Sequence, residues 1–479
     1  MQFLYKIPGY ILLLFGGFCL SWGGFIIRSF EEASIWQILF LRSFFFLLAL
    51  IAFLLVTYKK NTFKVIKQSG LPGLLGGFVL SLTAAFYGWW VEEVADRENY
   101  DQFFDWAQKE IDTKTSGASA LILIEDGRVV RQFYKGGVDK DTLFPTASLS
   151  KWITALAVMS LVEKSLVHLD APISDYLTRW QLPNSEFDNN GVTVRRLLSH
   201  TAGLTDGLGF GDYQSDEVLP STEAELNNPR ASNKADVKII VGREPGGEFL
   251  YSGGGYLILQ FLVEEVSKVE FADYVTKAIL HPLEMHRSTY KFLGDQVNAV
   301  QSFDVDGSLA PTYMYASPAA TSFASSASDL SKLVQALLNE KNFPLDSDTV
   351  LLMREPHGFL MNFGIWGLGT ILYVQAPHGD FVFGHDGANE PAIITSVRLN
   401  PETSDGFVML VSGHPSLASS IGSEWVLWQT GYPDFLSSDR ALKSALFPML
   451  VCSLGILLLL VLRLRWQSSA SETELDNRQ

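Results

Sequence analysis

Four stretches of the chain are apolar almost without interruption, and the rest alternates apolar and polar positions at the periods of helices and strands. Residues 7–27, 35–58, 70–91 and 445–462 are each close to the roughly 20 residues an α-helix needs to cross the hydrocarbon core of a bilayer. They predict four transmembrane helices, three N-terminal and one C-terminal. The first reads as an anchor and not as a cleaved signal peptide, because two further spans follow and no small-residue cleavage site closes it.

Between the third and fourth apolar stretches the periods change. Beyond Ser119, "ALILIEDGRVVRQFYKGG" gives two β-rich runs around Asp126-Gly127, a strong short hairpin signal. Ala155, Leu156, Met159 and Val162 or Glu163 then recur at helical spacing, so a buried helix is predicted to start near Ser148. Short helices and loops follow through the Gly- and Asp-rich stretch around 207–213 and read as a helical subdomain. Glycines 253–255 open a second amphipathic helix, and another covers 327–338. The segments "FVFGHDGANEPAIITSVRLN" and "GFVMLVSG" read as antiparallel strands returning to the first hairpin. The predicted fold is α/β: an antiparallel sheet flanked by helices, with an inserted helical subdomain, plus the four transmembrane helices. Four units follow: a three-helix membrane anchor (1–91), a domain (92–440), a C-terminal transmembrane helix (441–466) and a short cytoplasmic tail (467–479), which reads as disordered.

Charge sets orientation and excludes one class of partner. Lys6 precedes the first apolar stretch, and Lys59, Lys60, Lys64 and Lys67 lie between the second and third. By the positive-inside rule both belong in the cytoplasm, which places the 92–440 domain on the extracytoplasmic, periplasmic side of an inner-membrane, multi-pass protein, with Arg463 and Arg465 again inside. The lipid bilayer is thus an expected partner. A net charge of −16 with no basic stripe argues against nucleic acid. The two cysteines, Cys19 and Cys452, lie in apolar stretches, so the domain has no thiol for a disulfide or a thiolate metal site.

Candidate chemistry begins at "TASLSKW", where Ser148 and Lys151 stand three apart. On a helix they share a face, and burial together with the positive end of the helix dipole pushes the lysine towards its neutral, proton-accepting form. A serine hydroxyl needs such a base to act as a nucleophile. Ser288 and Lys291 have the same spacing but no helix to present them. Tyr251, in "YSG" just before a helix, is a candidate proton shuttle if cations lower its pKa, or else a core aromatic. His385, in "HDG" at a strand entrance after the serine and the tyrosine, makes a third candidate motif, or else an ordinary turn histidine. Lys135-Gly136-Gly137 precedes the serine and fits a hairpin end. His200 reads as a loop histidine held by backbone groups, and Asp206, Asp212 and Asp216 lack the pattern of a calcium loop. Neither Gly-x-Ser-x-Gly nor His-Glu-x-x-His occurs.

Two resemblances add to this reading. The stretch 21–43 resembles the first helices of the drug/metabolite transporter family over about the first ninety residues. A transport pathway needs more helices than these, so the segment reads as an anchor. The three motifs in this order, with "LVEKSLVHLDAPISDYL", "LLSHTAGL", "PGGEFLYSGGGY" and "FGHDGANEPA", resemble the serine β-lactamase and penicillin-binding protein family over roughly 117–437, closest to its class C β-lactamase, esterase and D-aminopeptidase branch. The resemblance implies that Ser148 is acylated, Lys151 activates it, Tyr251 shuttles the proton, and His385 stands where β-lactamases carry a lysine. It implies an oxyanion hole from the N–H groups of Ser148 and Ala388, with Gly387 letting the strand approach the substrate. Gly253 replaces a common asparagine, and His385 weakens the cation that meets a β-lactam carboxylate, so β-lactams are not the expected natural substrate. The expectation is a membrane-anchored serine hydrolase cleaving an ester or amide of a small molecule or peptide, without metal or organic cofactor. The alternatives are a β-lactam or cell-wall-peptide binding or sensor domain, and a transporter fragment with an appended domain.

Overall fold

The computed structural model describes residues 99–437, apart from 208–211, 215–216, 231–236, 293, 295, 340–342 and 361. Within them the chain opens with helix α1 (Tyr100–Lys114) and strands β1 (Ala118–Glu125) and β2 (Arg128–Lys135). The β1–β2 turn is Asp126-Gly127, with φ of 49° and 71°. Both positive values are what a two-residue hairpin turn requires to match the twist of its strands. The helical part contributes α2 (Leu149–Glu163), α3 (Val194–Leu198), α4 (Gly253–Ser267) and α5 (Ala327–Asn339). The chain then returns as β3 (Gly358–Leu360), β4 (Phe363–Trp366), β5 (Ile371–Gln375), β6 (Phe381–Asn389), β7 (Ile393–Asn400) and β8 (Asp405–Ser412), and α6 (Leu417–Thr430) follows.

These eight strands form one sheet in the order β2-β1-β8-β7-β6-β5-β4-β3. The last strand closes on the first: β8 pairs antiparallel with β1, Leu121 opposite Met409. Period-2 alternation then sends neighbours to opposite cores. Ile122, Ile124, Val408 and Leu410 face the helical part, with Trp152, Val158 and Leu257. Leu121, Leu123, Phe407 and Met409 face α1 and α6, with Phe103, Ile111, Trp425 and Ile421. Helices therefore cover both faces, and β7 and β8 are buried along their whole length. At about 1.5–3 kcal/mol per large apolar side chain buried, the two cores fix the strands that carry the site.

The expected α/β architecture is present, but its four transmembrane helices are corrected. No helix among the described residues is long and apolar enough to cross a membrane. The longest helices here have 15 residues and reach about 22 Å at 1.5 Å per residue, short of the roughly 30 Å hydrocarbon core. The stretches 7–27, 35–58, 70–91 and 445–462, and the transporter-like segment 21–43, lie outside the described residues. The compact unit that holds the site runs over Ala95–Leu436.

Candidate active site

The nucleophile position is set by a sharp turn. Phe144 and Pro145 pair with Ala324 and Ser325, Thr146 donates to the carbonyl of Phe323, and the buried Ala147 then takes φ 51°. A non-glycine residue in the left-handed region costs of order 1 kcal/mol and persists only where the surroundings hold it. The turn delivers Ser148 to the start of α2, where it is the N-cap. The N–H groups of Leu149, Ser150 and Lys151 donate to Thr146, Ala147 and Ser148, so this first turn does not consume the N–H of Ser148 itself. The serine is only partly buried, which leaves its hydroxyl within reach of a substrate.

Every residue of α2 from Leu149 to Leu161 is buried, Lys151 among them at 3 % exposure. The Lys151 amine lies 3.1 Å from Ser148 Oγ and donates to the carbonyl of Ala320 at 2.8 Å. Ala320 belongs to a one-turn π-helical strap, Pro318–Ser322. Burial drives the amine from its ordinary value down to about 7, against a smaller opposing pull from the Asp206 carboxylate. A side chain that is a cation in water is thereby poised between amine and ammonium beside a hydroxyl.

Tyr251 lies over this pair. Lys151 Nζ is 4.9 Å from its ring centroid, and its hydroxyl lies near enough to Ser148 for the serine to favour the ionised phenol. Burial raises the phenol pKa, with the Ser148 contact opposing. This reverses the expectation of a tyrosine acidified by cations, because burial of the phenol itself outweighs the contact that opposes it. The group available is therefore a neutral phenol, a proton donor. Ser252 caps α4 by accepting from Gly255 N–H, and donates to Asp206 Oδ1 at 2.6 Å, while Asp206 Oδ2 accepts from Gly254 N–H. Gly253 begins α4, buried and without a side chain to offer.

The third motif lies on β6. Gly387 pairs with Thr395, and a methyl group in place of its hydrogen would stand 2.2 Å from Thr146 O and 2.9 Å from Ser148 N. The missing side chain thus admits the backbone of the nucleophile turn, a closer neighbour than the substrate it was expected to admit. Ala388 follows, exposed, one residue from that contact. His385 is buried, and its Nδ1 lies 2.6 Å from the carbonyl of Asp386. A carbonyl only accepts, so Nδ1 carries the proton and Nε2 presents a lone pair. Burial and the adjacent Lys151 hold the imidazole down to about 3, and it stays neutral at physiological pH. Asp386 in turn accepts from Tyr373 and Ser396 hydroxyls and from Arg398, a fully buried guanidinium that also pairs with Asp434.

Two residues that the sequence left outside the site belong beside it. His200 stacks on Tyr251 with ring centroids 4.3 Å apart, and its Nδ1 accepts from Ser252 N–H at 3.0 Å. It is indeed held by a backbone group, but that group is the second motif's own. Burial keeps it neutral. Asp206, read only against a calcium loop, is the buried carboxylate that secures Ser252 and Gly254. Trp366 joins the parts, its ring 5.5 Å from Tyr251, 5.3 Å from His385 and 4.8 Å from His200. No single motif announces Trp366; only the fold brings it here. The decoys fall elsewhere: Ser288 bonds Asp329, Lys291 pairs with Glu270 and Asp273, and Lys135 ends β2 against the carbonyls of α1. Among the described residues no group of three or more His, Cys, Asp and Glu is placed to hold a metal ion.

Comparison with known proteins matches this arrangement to a family. The family model described as Beta-lactamase matches residues 101–430. Penicillin-binding protein 4* of Bacillus subtilis is 32% identical over 156 residues, covering 31% of this chain and 30% of the relative. The match thus spans about a third of the length of that curated relative. Among solved structures, the octameric penicillin-binding protein homologue from Pyrococcus abyssi superposes with a TM-score of 0.56 at 23% identity, covering 70% of this chain and 78% of the other. The D-amino acid amidase from Ochrobactrum anthropi SV3 superposes with a TM-score of 0.53 at 19% identity, covering 67% of this chain and 96% of the other. Those two likenesses show the fold. With the family model covering most of the chain and the Ser148–Lys151 pair lying inside it, the chain belongs to the Beta-lactamase family.

Proposed function

We propose that the domain is a serine hydrolase that cleaves an ester or amide through an acyl-enzyme on Ser148. The observation that carries this reading is the buried Lys151 amine 3.1 Å from Ser148 Oγ. In its neutral form the amine takes the Ser148 proton as Oγ bonds to the substrate carbonyl carbon, and the carbonyl electron pair moves onto oxygen. The N–H groups of Ser148 and Ala388 receive that oxyanion. As the intermediate collapses, the carbon–heteroatom bond breaks and the leaving group takes a proton from the Tyr251 phenol, which is replenished from Lys151. Water then attacks the acyl-enzyme along the reverse path, returning the proton to Ser148.

The neutral His385 bears on substrate. A carboxylate at that position would meet a lone pair instead of a cation, which supports esters and amides without a carboxylate beside the scissile bond over β-lactams. Kinship in fold with a D-amino acid amidase fits the same direction. The test is hydrolysis by the full-length protein of a panel: a short-chain nitrophenyl ester, D-amino-acid amides and a chromogenic cephalosporin, each repeated with Ser148→Ala. Turnover of the ester or an amide that disappears in the variant supports the reading. Equal rates in both proteins, or cephalosporin turnover exceeding the other two, overturn it.

A further inference from the structure

We infer that a cavity behind the strap is a second binding site, which takes an organic cation with an apolar body and transmits its occupancy to Lys151. The effect on catalysis rests on the hydrolase reading above; the binding does not.

The cavity is bounded by the C-terminal half of α4, the short helix Thr222–Asn227 and the start of the strap, and its volume is about 720 Å³. That falls within the roughly 300–1,000 Å³ of sites that enclose small molecules. None of Ser148, Lys151, Tyr251 and His385 lines it, so it is separate from the nucleophile's cleft. Its walls combine Leu219, Val269, Phe271, Tyr290 and Pro318 with charged side chains. Phe271 and Tyr290 meet edge to face, with ring centroids 5.0 Å apart, and aromatic walls favour a cation that has shed its water.

The charges of the wall leave one carboxylate short of a partner. Arg179 is committed to Glu223 and Glu265, and Lys291 to Glu270 and Asp273. Lys268, the C-cap of α4, is exposed. Glu264 has only a 3.3 Å hydrogen bond from Thr222 and a 3.8 Å approach to Arg179, too long for a hydrogen bond. Burial raises its carboxyl above the ordinary value, as expected where no full counter-charge is at hand. A cationic head beside Glu264 supplies that charge, and the apolar walls receive the body of the ligand.

The same carboxylate is connected to the base. Thr222 Oγ1 donates to Glu264 Oε1, Gln260 Nε2 donates to Thr222 Oγ1 at 3.0 Å, and Gln260 Oε1 accepts from Ala319 N–H at 3.2 Å. Ala319 precedes Ala320, whose carbonyl holds the Lys151 amine at 2.8 Å. Pro318, the first residue of the strap, is itself part of the cavity wall. A ligand that draws Glu264 away from Thr222 loosens this chain at the strap, and the Ala320 carbonyl governs how firmly Lys151 keeps a proton.

The probe is benzyltrimethylammonium, which cannot itself be acylated; phenylacetate and benzyl alcohol carry the ring without the cation. Calorimetry on the full-length protein is expected to show binding of the cation alone, weakened about tenfold or more by Glu264→Gln. Val269→Arg sets a fixed cation at a wall position that is 44 % exposed and weakens binding as well, which covers a failure of the Glu264 variant to fold. Saturating cation should change the wild-type kcat on nitrophenyl acetate about fivefold or more, and Glu264→Gln should abolish the response. An effect confined to KM that survives in Glu264→Gln puts the cation in the nucleophile's cleft and overturns the inference. Equal binding of all three compounds, unchanged affinity in both variants, or an unmoved kcat at saturation also overturns it. Fluorophosphonate labelling of Ser148 in the same samples separates the two failures. Labelling with kcat indifferent to the cation rejects the effector site alone, and no labelling of the wild type rejects the hydrolase reading while calorimetry still decides the cavity.

Discussion

Replacing Lys151 by methionine should make the protein more stable and inactive, and the gain should depend on pH. The shift of the amine from 10.5 to about 7, at about 1.4 kcal/mol per pH unit, corresponds to roughly 5 kcal/mol of folding free energy that the buried lysine costs. Methionine removes that cost but leaves the Ala320 carbonyl without its donor, a loss of about 1–3 kcal/mol. The net gain near pH 7 is then about 2–4 kcal/mol. The folded-state value is depressed, so between about 7 and 10.5 the unfolded chain binds more protons than the folded one, and wild-type stability rises with pH. The full penalty applies at and below pH 7; by pH 9 only about 2 kcal/mol of it is left, and the gain from methionine shrinks to near zero. Urea unfolding of wild type and Lys151→Met, followed by tryptophan fluorescence at pH 7 and pH 9, measures both. A variant less stable than wild type at pH 7, or a gain of equal size at both pH values, refutes the reasoning.

Three further outcomes are expected. The kcat/KM of ester hydrolysis should fall tenfold per unit as pH drops below about 7, where Lys151 becomes an ammonium, and level off above it; a flat profile from pH 5 to 9 contradicts the assigned base. Tyr251→Phe should fold and lose roughly 10²–10⁴ in kcat on an amide, with a smaller loss on a nitrophenyl ester, whose leaving group needs no proton; equal losses on both would remove Tyr251 from the leaving-group step. Arg398→Met leaves the Asp386 and Asp434 carboxylates without their buried partner and should destabilise by about 3–5 kcal/mol in chemical unfolding; a change below 1 kcal/mol would show that the pair is not buried.

Much of the fold was legible because local signals agreed with the final packing. Asp126-Gly127 specified its hairpin, and α2, α4 and α5 begin at or within a residue of where periodicity placed them. The last strands return to β1 as their pattern suggested. Their burial on both faces was less visible, since α1 and α6, from opposite ends of the domain, cover one face of the sheet and the helical part covers the other. The Ser148–Lys151 pair was readable because helix geometry alone brings i and i+3 together. Trp366, Asp206 and His200 were not, because each reaches the site through tertiary contacts that no spacing encodes. The state of Tyr251 was not readable for a related reason: the sequence left open whether cations lower its pKa, and only the fold shows that burial raises it.

The central claim is that Ser148 is a nucleophile switched on by the discharge of Lys151. It is tested most directly by mass spectrometry of the full-length protein after reaction with a fluorophosphonate over a series of pH values. The account predicts a single adduct on the peptide bearing Ser148, formed at a rate that climbs through pH 7 and is lost in both Ser148→Ala and Lys151→Met. An adduct on another residue, or undiminished modification of Ser148 once the amine is gone, would contradict it.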